Sequence, residues 1–402
     1  MKQRGLTNFF ESFLSKGPIF ENKKALQSAY TPDQIPHRDE QINQIAGILA
    51  PALRMDTPSN LFMYGKTGTG KTLTTKYVIN QMRTVASQQD IPLVLMYINC
   101  KLKKVADTEY RLISQLSREF GKAIPPTGLP TDEVYKVFFD AVDRKEQTII
   151  LVLDEIDQLV KKAGDGILYN LTRINSELQN SQIALVGISN DLLFTDTLDP
   201  RVKSSLSEEE LIFPPYNALQ IQNILKNRAS VAFKDEIVEA GVIEKCAAYA
   251  AREHGDARRA LELLRVAGEL AERTQSPRVR LAHLDQAEEK IERDRVVDIV
   301  LTQPKQFQAV LYAILAIKRE KDTLIFTGDV YDLYKDICAR TGLRPLTQRR
   351  VSDVIAELDM LGMVTAKVIS KGRYGRTREI RMSIPSSLLP KIQTLLTEGL
   401  NL

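Results

Sequence analysis

Eight residues, GKTGTGKT from Gly65 to Thr72, constrain this chain more than any other stretch. They follow the apolar run NLFMY and open a segment of helical pattern, and strand–loop–helix is the context that a phosphate-binding loop requires. In such a loop Gly65, Gly68 and Gly70 allow the backbone N–H groups, with Lys66, Thr67 and Thr69 between them, to curl around phosphate oxygens at a helix N-terminus. Lys71 is then expected on the β- and γ-phosphates and Thr72 on Mg²⁺. A loop of this kind sits at the end of a buried parallel strand, so the sequence around it should alternate strands and helices.

It does. Residues 60–213 contain LVLMYIN, TIILVLD, QIALVGIS and ELIF, each short and apolar and separated by helical patterns, as in an α/β parallel sheet. Between LVLMYIN and TIILVLD there is room for two helices, 107–120 and 131–145, where a minimal core needs one. The first therefore reads as an insertion, near 101–131. In TIILVLDEID, Asp154 ends a strand and suits the Mg²⁺ shell, while Glu155 suits polarising an attacking water. Asn190 ends the next strand, where a polar side chain can position that water. No NKxD follows, so ATP is expected rather than GTP. Arg201, in LDPRVKSSL, suits an arginine finger offered to a neighbouring copy. Arg258, in HGDARRALELLR, lies in the first turn of a helix capped by Asp256 and suits a sensor of the γ-phosphate, a position that Arg259 can also fill.

Pro214-Pro215 ends the alternation. Residues 216–296 read entirely as helix, a small domain following the 1–215 nucleotide core, and 297–402 form a third region. There, helices are expected over 302–318, 329–341 (stopped by Gly342) and 348–361 (capped by Thr347 and ended by Gly362). The stripe Val351, Val354, Ile355, Leu358, Leu361 faces a core. Strands MVTAKVIS and RTREIRMSI follow, joined by KGRYG, and helices followed by such a ribbon make a winged-helix domain. From Val296 onward there are 16 Lys/Arg against 11 Asp/Glu, net +5, whereas the remainder has 39 against 40, net −1. The excess positive charge sits in the module expected to meet a polyanion. Gln348, Arg349 and Ser352 can reach base edges from the third helix, with Arg350 nearer the buried stripe. Lys371, Arg373, Arg376 and Arg378 suit phosphates or a minor groove, and Tyr374 suits sugar or base.

Composition excludes several classes. The three cysteines and three histidines are scattered, so neither a disulfide frame nor a metal-ligand cluster is suggested. The longest apolar run, AVLYAILAI, is too short to span a bilayer. A reduced, cytoplasmic protein without a membrane role is the expectation.

Together these pieces resemble an AAA+ ATPase and, more narrowly, an archaeal replication initiator of the origin-recognition and cell-division-cycle-six family. YTPDQIPHRDEQ resembles the family's N-terminal box, DPRVKSSLSEEELIFPPY its arginine-finger segment and lid entry, and HGDARRALELLR its lid arginine. The resemblance implies that Ile35, Pro36, His37 and Arg38 flank the adenine, that Tyr216 belongs to the nucleotide site, and that the insertion touches DNA, with Lys122 a candidate. It implies an ATPase bound to ATP or ADP with Mg²⁺, recognising double-stranded origin DNA, recruiting or loading the MCM replicative helicase, acting with further copies or paralogues at the nucleoid, and hydrolysing ATP slowly as a switch. Two alternatives remain at this point, a transcription-regulating signalling ATPase and a clamp-loader-type subunit.

Overall fold

The computed structural model describes residues 10–11, 17–101, 108–125, 128–206, 208–252, 255–320, 324–370 and 376–402. The chain divides into two compact units, Met1–Leu284 and Asp285–Leu402.

The first unit is built on five parallel strands: β1 (Leu61–Tyr64), β2 (Leu93–Asn99), β3 (Gln147–Asp154), β4 (Ser181–Ser189) and β5 (Glu209–Ile212). Their spatial order is β2-β3-β4-β1-β5. β3 is buried along its whole length, because helices cover both faces of the sheet. Successive side chains alternate between those faces. Ile149, Leu151 and Leu153 pack with Leu112, Leu116 and Phe138 on one side, whereas Ile150 and Val152 pack with Ile45, Leu49, Val78 and Ile79 on the other. Each such side chain contributes about 1.5–3 kcal/mol by leaving water.

The helices of this core are α1 (Asp39–Leu49), α2 (Lys71–Gln88), α3 (Glu109–Glu119), α4 (Thr131–Val142), α5 (Ile156–Ala163), α6 (Gly166–Thr172) and α7 (Pro200–Leu206). The extra helix α3 is capped by Thr108, whose side chain accepts from Arg111 N, and it buries Leu112, Ile113 and Leu116. It is thus a full member of the core, not an appendage.

Three helices follow: α8 (Ala218–Ala232), α9 (Val242–Arg252) and α10 (Ala257–Arg273). Asn217 and Gln220 form a reciprocal capping box at the start of α8. Residues near the N-terminus pack on this helical layer: Phe20 stacks on Phe233 at 4.7 Å, and Lys23 pairs with Glu269 at 2.9 Å. α11 (Leu281–Thr302) runs from the first unit into the second.

The second unit holds α12 (Lys305–Glu320), β6 (Ile325–Phe326), α13 (Thr327–Thr341), α14 (Gln348–Met360), β7 (Val364–Ser370), β8 (Arg376–Met382) and α15 (Leu389–Leu400). The strands form an antiparallel sheet ordered β6-β8-β7. Its core joins Ala309, Val310 and Ile314 of α12 to Val351, Val354 and Leu358 of α14 and Ile380 of β8. This is a winged-helix domain. Two elements, β6 and α15, extend what the sequence pattern suggested. Two residues are too few to show periodicity, while Ile392, Leu396 and Leu400 do mark a buried helical stripe. Among the described residues, no helix is long and apolar enough to cross a membrane.

Candidate nucleotide site and nucleic-acid interface

β1 lies between β4 and β5, and its C-terminal end delivers the chain into Gly65–Gly70 and then α2. The carboxyl edge of an open α/β sheet is where ligands bind. Register brings the other expected residues to that edge: Tyr64 pairs with Ser189, immediately before Asn190, and Ile188 pairs with Asp154.

The loop itself is tightly specified. Gly68 adopts φ +71°, and a Cβ there would lie 1.7 Å from Asp256 Oδ1. A Cβ on Gly70 would lie 2.7 Å from the Tyr216 hydroxyl. Glycine is therefore demanded at both points by backbone and by space. Thr69 Oγ1 donates to Lys66 O at 2.9 Å, closing the loop on itself. Lys71 is 4% exposed, and its ammonium donates to Gly65 O at 2.7 Å and Lys66 O at 2.8 Å. Burial, followed by the nearby Arg258 charge, holds its pKa down to about 8.

The metal candidates meet directly. Thr72 Oγ1 donates to Asp154 Oδ2 at 2.9 Å, and Glu155 N donates to Asp154 Oδ1 at 2.9 Å. Tyr97 O–H also donates to Asp154 Oδ2. Burial, then this bond, pushes the Tyr97 phenol well above its ordinary range, so it stays a donor. Sequence reasoning missed Tyr97. Its signal was position: it precedes Asn99 by two in β2, and Asn99 pairs with Asp154. Glu155 adopts φ +56°, a left-handed conformation that costs a non-glycine residue about 1–3 kcal/mol and recurs at functional sites. Its Oε2 lies 3.6 Å from Lys101 Nζ.

A cavity of about 540 Å³ opens beside this loop. Gly68, Gly70 and Thr72 line it from the core, Arg258 and Ala257 from α10, Tyr216 from the junction between them, and residues 27–36 from the N-terminal segment. Asp256 caps α10, its Oδ1 accepting from Arg258 N at 2.8 Å and Arg259 N at 3.3 Å. Ile35 and Pro36 thus lie in the cavity wall. His37 reaches α8 instead, its Nε2 lying 3.1 Å from Asn223 Oδ1, and Arg38 is buried behind the wall. Arg201 lies outside the lining. It is exposed on α7 and bound twice to Asp199, each contact at 3.1 Å. Lys66 and Thr67 belong to the loop but do not line this cavity.

The second unit presents a separate surface. Gln348 and Arg349 are exposed in the first turn of α14. Arg378, on β8, donates from Nε to Ser352 Oγ at 3.3 Å, while its backbone N donates to Thr327 Oγ1 at 3.3 Å. These residues share a notch of about 430 Å³ with Val368 and Thr377. Arg350 points elsewhere than its sequence position suggested: it is exposed and paired with Asp353 at 3.8 Å and Glu357 at 3.7 Å. Lys371, Arg373 and Tyr374 lie outside the described residues, and Arg376 opens β8 opposite Ser370. Lys122 is half-buried just after α3, its N–H donating to Ser117 O at 2.9 Å.

Comparison with known proteins covers all of these parts. Family models match as an AAA domain over residues 54–193, a Cdc6 AAA+ ATPase-type lid domain over 222–289, and a CDC6 C-terminal winged helix domain over 298–390. The ORC1-type DNA replication protein of Thermococcus onnurineus is 51% identical over 388 residues, 96% of this chain and 93% of that protein. The ORC1-type DNA replication protein 1 of Methanosarcina mazei is 52% identical over 387 residues, 96% and 92% of the two chains. Among solved structures, the Aeropyrum pernix ORC1 protein in complex with DNA is similar with a TM-score of 0.84 and 43% identity, over 95% of this chain and 98% of that one. With a parallel AAA+ core, a helical lid, a winged helix and this likeness over nearly its whole length, the chain belongs to the family of ORC1-type DNA replication proteins.

Proposed function

We propose that this protein is an ATP-dependent initiator that binds double-stranded DNA where replication starts and recruits or loads the MCM replicative helicase. The observation that carries the reading is one cavity lined jointly by the phosphate loop and by Arg258 of the lid. Affinity for DNA can depend on the bound nucleotide only if ATP and ADP favour different core–lid arrangements, and a lid arginine in the nucleotide cavity supplies that difference. Hydrolysis in this scheme is slow and acts as a switch.

The residues present fit a Mg²⁺–nucleotide: the glycine cradle leaves no space for side chains, and the Thr72 hydroxyl meets the Asp154 carboxylate. Thr72 and Asp154 would hold the cation, which supplies charge neutralisation at the phosphates. Lys71 neutralises the β- and γ-phosphates, Glu155 and Asn190 orient the attacking water, and Arg201 serves an adjoining copy. Ile35, Pro36 and Tyr216 enclose the base and sugar.

DNA binding is supported by the notch that joins Gln348, Arg349 and Ser352 to Arg378, by the net positive charge of the last quarter of the chain, and by the DNA complex of the Aeropyrum pernix relative. Lys371, Arg373, Tyr374 and Arg376 would extend that contact, with Lys122 a further point on the core. Such a protein acts at the nucleoid.

Genome-wide footprinting in the native cell, beside an Arg349→Ala/Arg378→Ala variant, tests the reading. A few sharp peaks at replication starts, lost in the variant, are expected. Peaks spread over promoters would instead identify a transcription-regulating ATPase.

A further inference from the structure

Arg38 is charged, yet it is 2% exposed and does not line the cavity. Its guanidinium is bound on three sides. Nε donates to Thr69 O at 2.9 Å, Nη2 to Pro214 O at 2.6 Å and Nη1 to His37 O at 3.2 Å. Its Cζ lies over the Tyr216 ring, 3.9 Å from the centroid. These partners come from the phosphate loop, from the segment between β5 and α8, and from the N-terminal segment. A guanidinium suits this place because its rigid fork serves several acceptors at once while its face stacks on an aromatic ring.

The bond to Thr69 has a geometric consequence. The Thr69 carbonyl and the Gly70 N–H belong to one planar trans peptide and point in opposite directions. Pinning the carbonyl on Arg38 turns the Gly70 N–H away from the guanidinium, and Gly70 lines the cavity where phosphate would lie. On its other side Arg38 holds the entry to the lid. A Cβ on Gly255 would lie 2.3 Å from Tyr216 O, so the lid backbone is pressed onto the residue that stacks on Arg38. The next residue, Asp256, packs on Gly68, and Ala257 N donates to Gly68 O at 3.3 Å. The contacts therefore close into a ring, from Thr69 to Arg38, Tyr216, Gly255 and Asp256, and back to Gly68.

We propose that Arg38 is a positioning residue that never touches nucleotide and instead couples the phosphate loop to the core–lid junction. It makes the orientation of one loop peptide and the seating of Tyr216 under the lid parts of a single arrangement. The proposal rests on the reading of the cavity as a nucleotide site. Its mark is a split in behaviour: Arg38→Lys keeps the charge but loses the fork, so the protein still binds nucleotide while the lid entry no longer responds to it.

Amide hydrogen exchange of the full chain, with and without ADP and Mg²⁺, reads this directly at residues 216–218 and 255–260, alongside titration with a fluorescent ADP. In the unmodified protein ADP should slow exchange in both segments. Arg38→Lys should bind ADP roughly tenfold more weakly, the scale of one lost charge-assisted hydrogen bond, and show no ADP-dependent slowing at 216–218. Tyr216→Leu, which removes the stacking face but leaves the Thr69 bond, should lose the same protection and serves if Arg38→Lys does not fold. Protection in either folded variant equal to that of the unmodified protein would overturn the proposal. An unmodified protein that fails to bind ADP would overturn the nucleotide reading itself.

Discussion

Lys71 lies in the floor of the phosphate loop with its ammonium on two carbonyl oxygens and its pKa held down to about 8. An unfolded lysine keeps its proton to about pH 10.4. Between about 8 and that value the unfolded chain binds more protons than the folded one, so Lys71 makes stability rise with pH across this window; below it the effect is flat. Phosphate needs the charged form, so nucleotide affinity should run oppositely and fall about fivefold from pH 8 to pH 9. Fluorescent-nucleotide titrations across this range check it, and Lys71→Gln should bind weakly with a flat profile. Tyr97 makes a second prediction. Its hydroxyl anchors the carboxylate that Thr72 also meets. Tyr97→Phe should raise the Mg²⁺ concentration needed for nucleotide binding about 10-fold, while leaving affinity without Mg²⁺ unchanged. Titrating Mg²⁺ against bound fluorescent nucleotide separates the two. Lys71, Thr72 and Asp154 are legible in sequence because they sit at set spacings on a strand end and a loop. Tyr97 and the buried Arg38 are not, because Asp154 lies 57 residues from Tyr97, and Thr69 and Pro214 lie 31 and 176 residues from Arg38, so only pairing of distant segments joins them.

At the scale of elements, α10 shows how a local cap serves a distant site. Asp256 satisfies two N–H groups of the first turn and, through that turn, aims Arg258 into the cavity. Asp256→Ala should cost about 1 kcal/mol of stability, with a melting temperature roughly 2–4 °C lower, whereas Asp256→Asn should keep most of it. Thermal melting of the two variants checks this. The cap was readable from HGDARRALELLR, as Thr347 was before α14, since capping depends on residues three positions apart. β6 was not readable: it exists because β8 offers Ile380 and Glu379 as partners to Ile325 and Phe326, and no local pattern encodes that. The orientation of Arg350 belongs to the same class, decided by Asp353 and Glu357 on the open flank of α14.

At the scale of the whole molecule, the proposed function ties the grip on DNA to the nucleotide in the cavity. Arg258→Ala should leave nucleotide binding largely intact, impair hydrolysis, and remove any difference in DNA affinity between the ATP-bound and ADP-bound protein, since it takes from the cavity an arginine that the lid's α10 places in its lining. Single-turnover hydrolysis together with DNA titrations in each nucleotide state measures all three. Turnover equal to that of the unmodified protein would remove Arg258 from this role.

By itself the sequence determined the fold class, the order of core, lid and winged helix, and the placing of the glycine-rich loop Gly65–Gly70 between β1 and α2 and of Asp154 at the end of β3. Those properties are carried by periodicity, caps and spacing within about twenty residues, which local stereochemistry converts directly into strands, turns and helices. Only the tertiary structure decided that the N-terminal segment seats Phe20 against the lid, that Arg38 lies behind the cavity and not in it, and that Ser352 meets Arg378. Each of these joins residues brought together by packing from distant parts of the chain. Burial selects such contacts by shape and unmet hydrogen bonds, and neither is written in any short stretch of sequence.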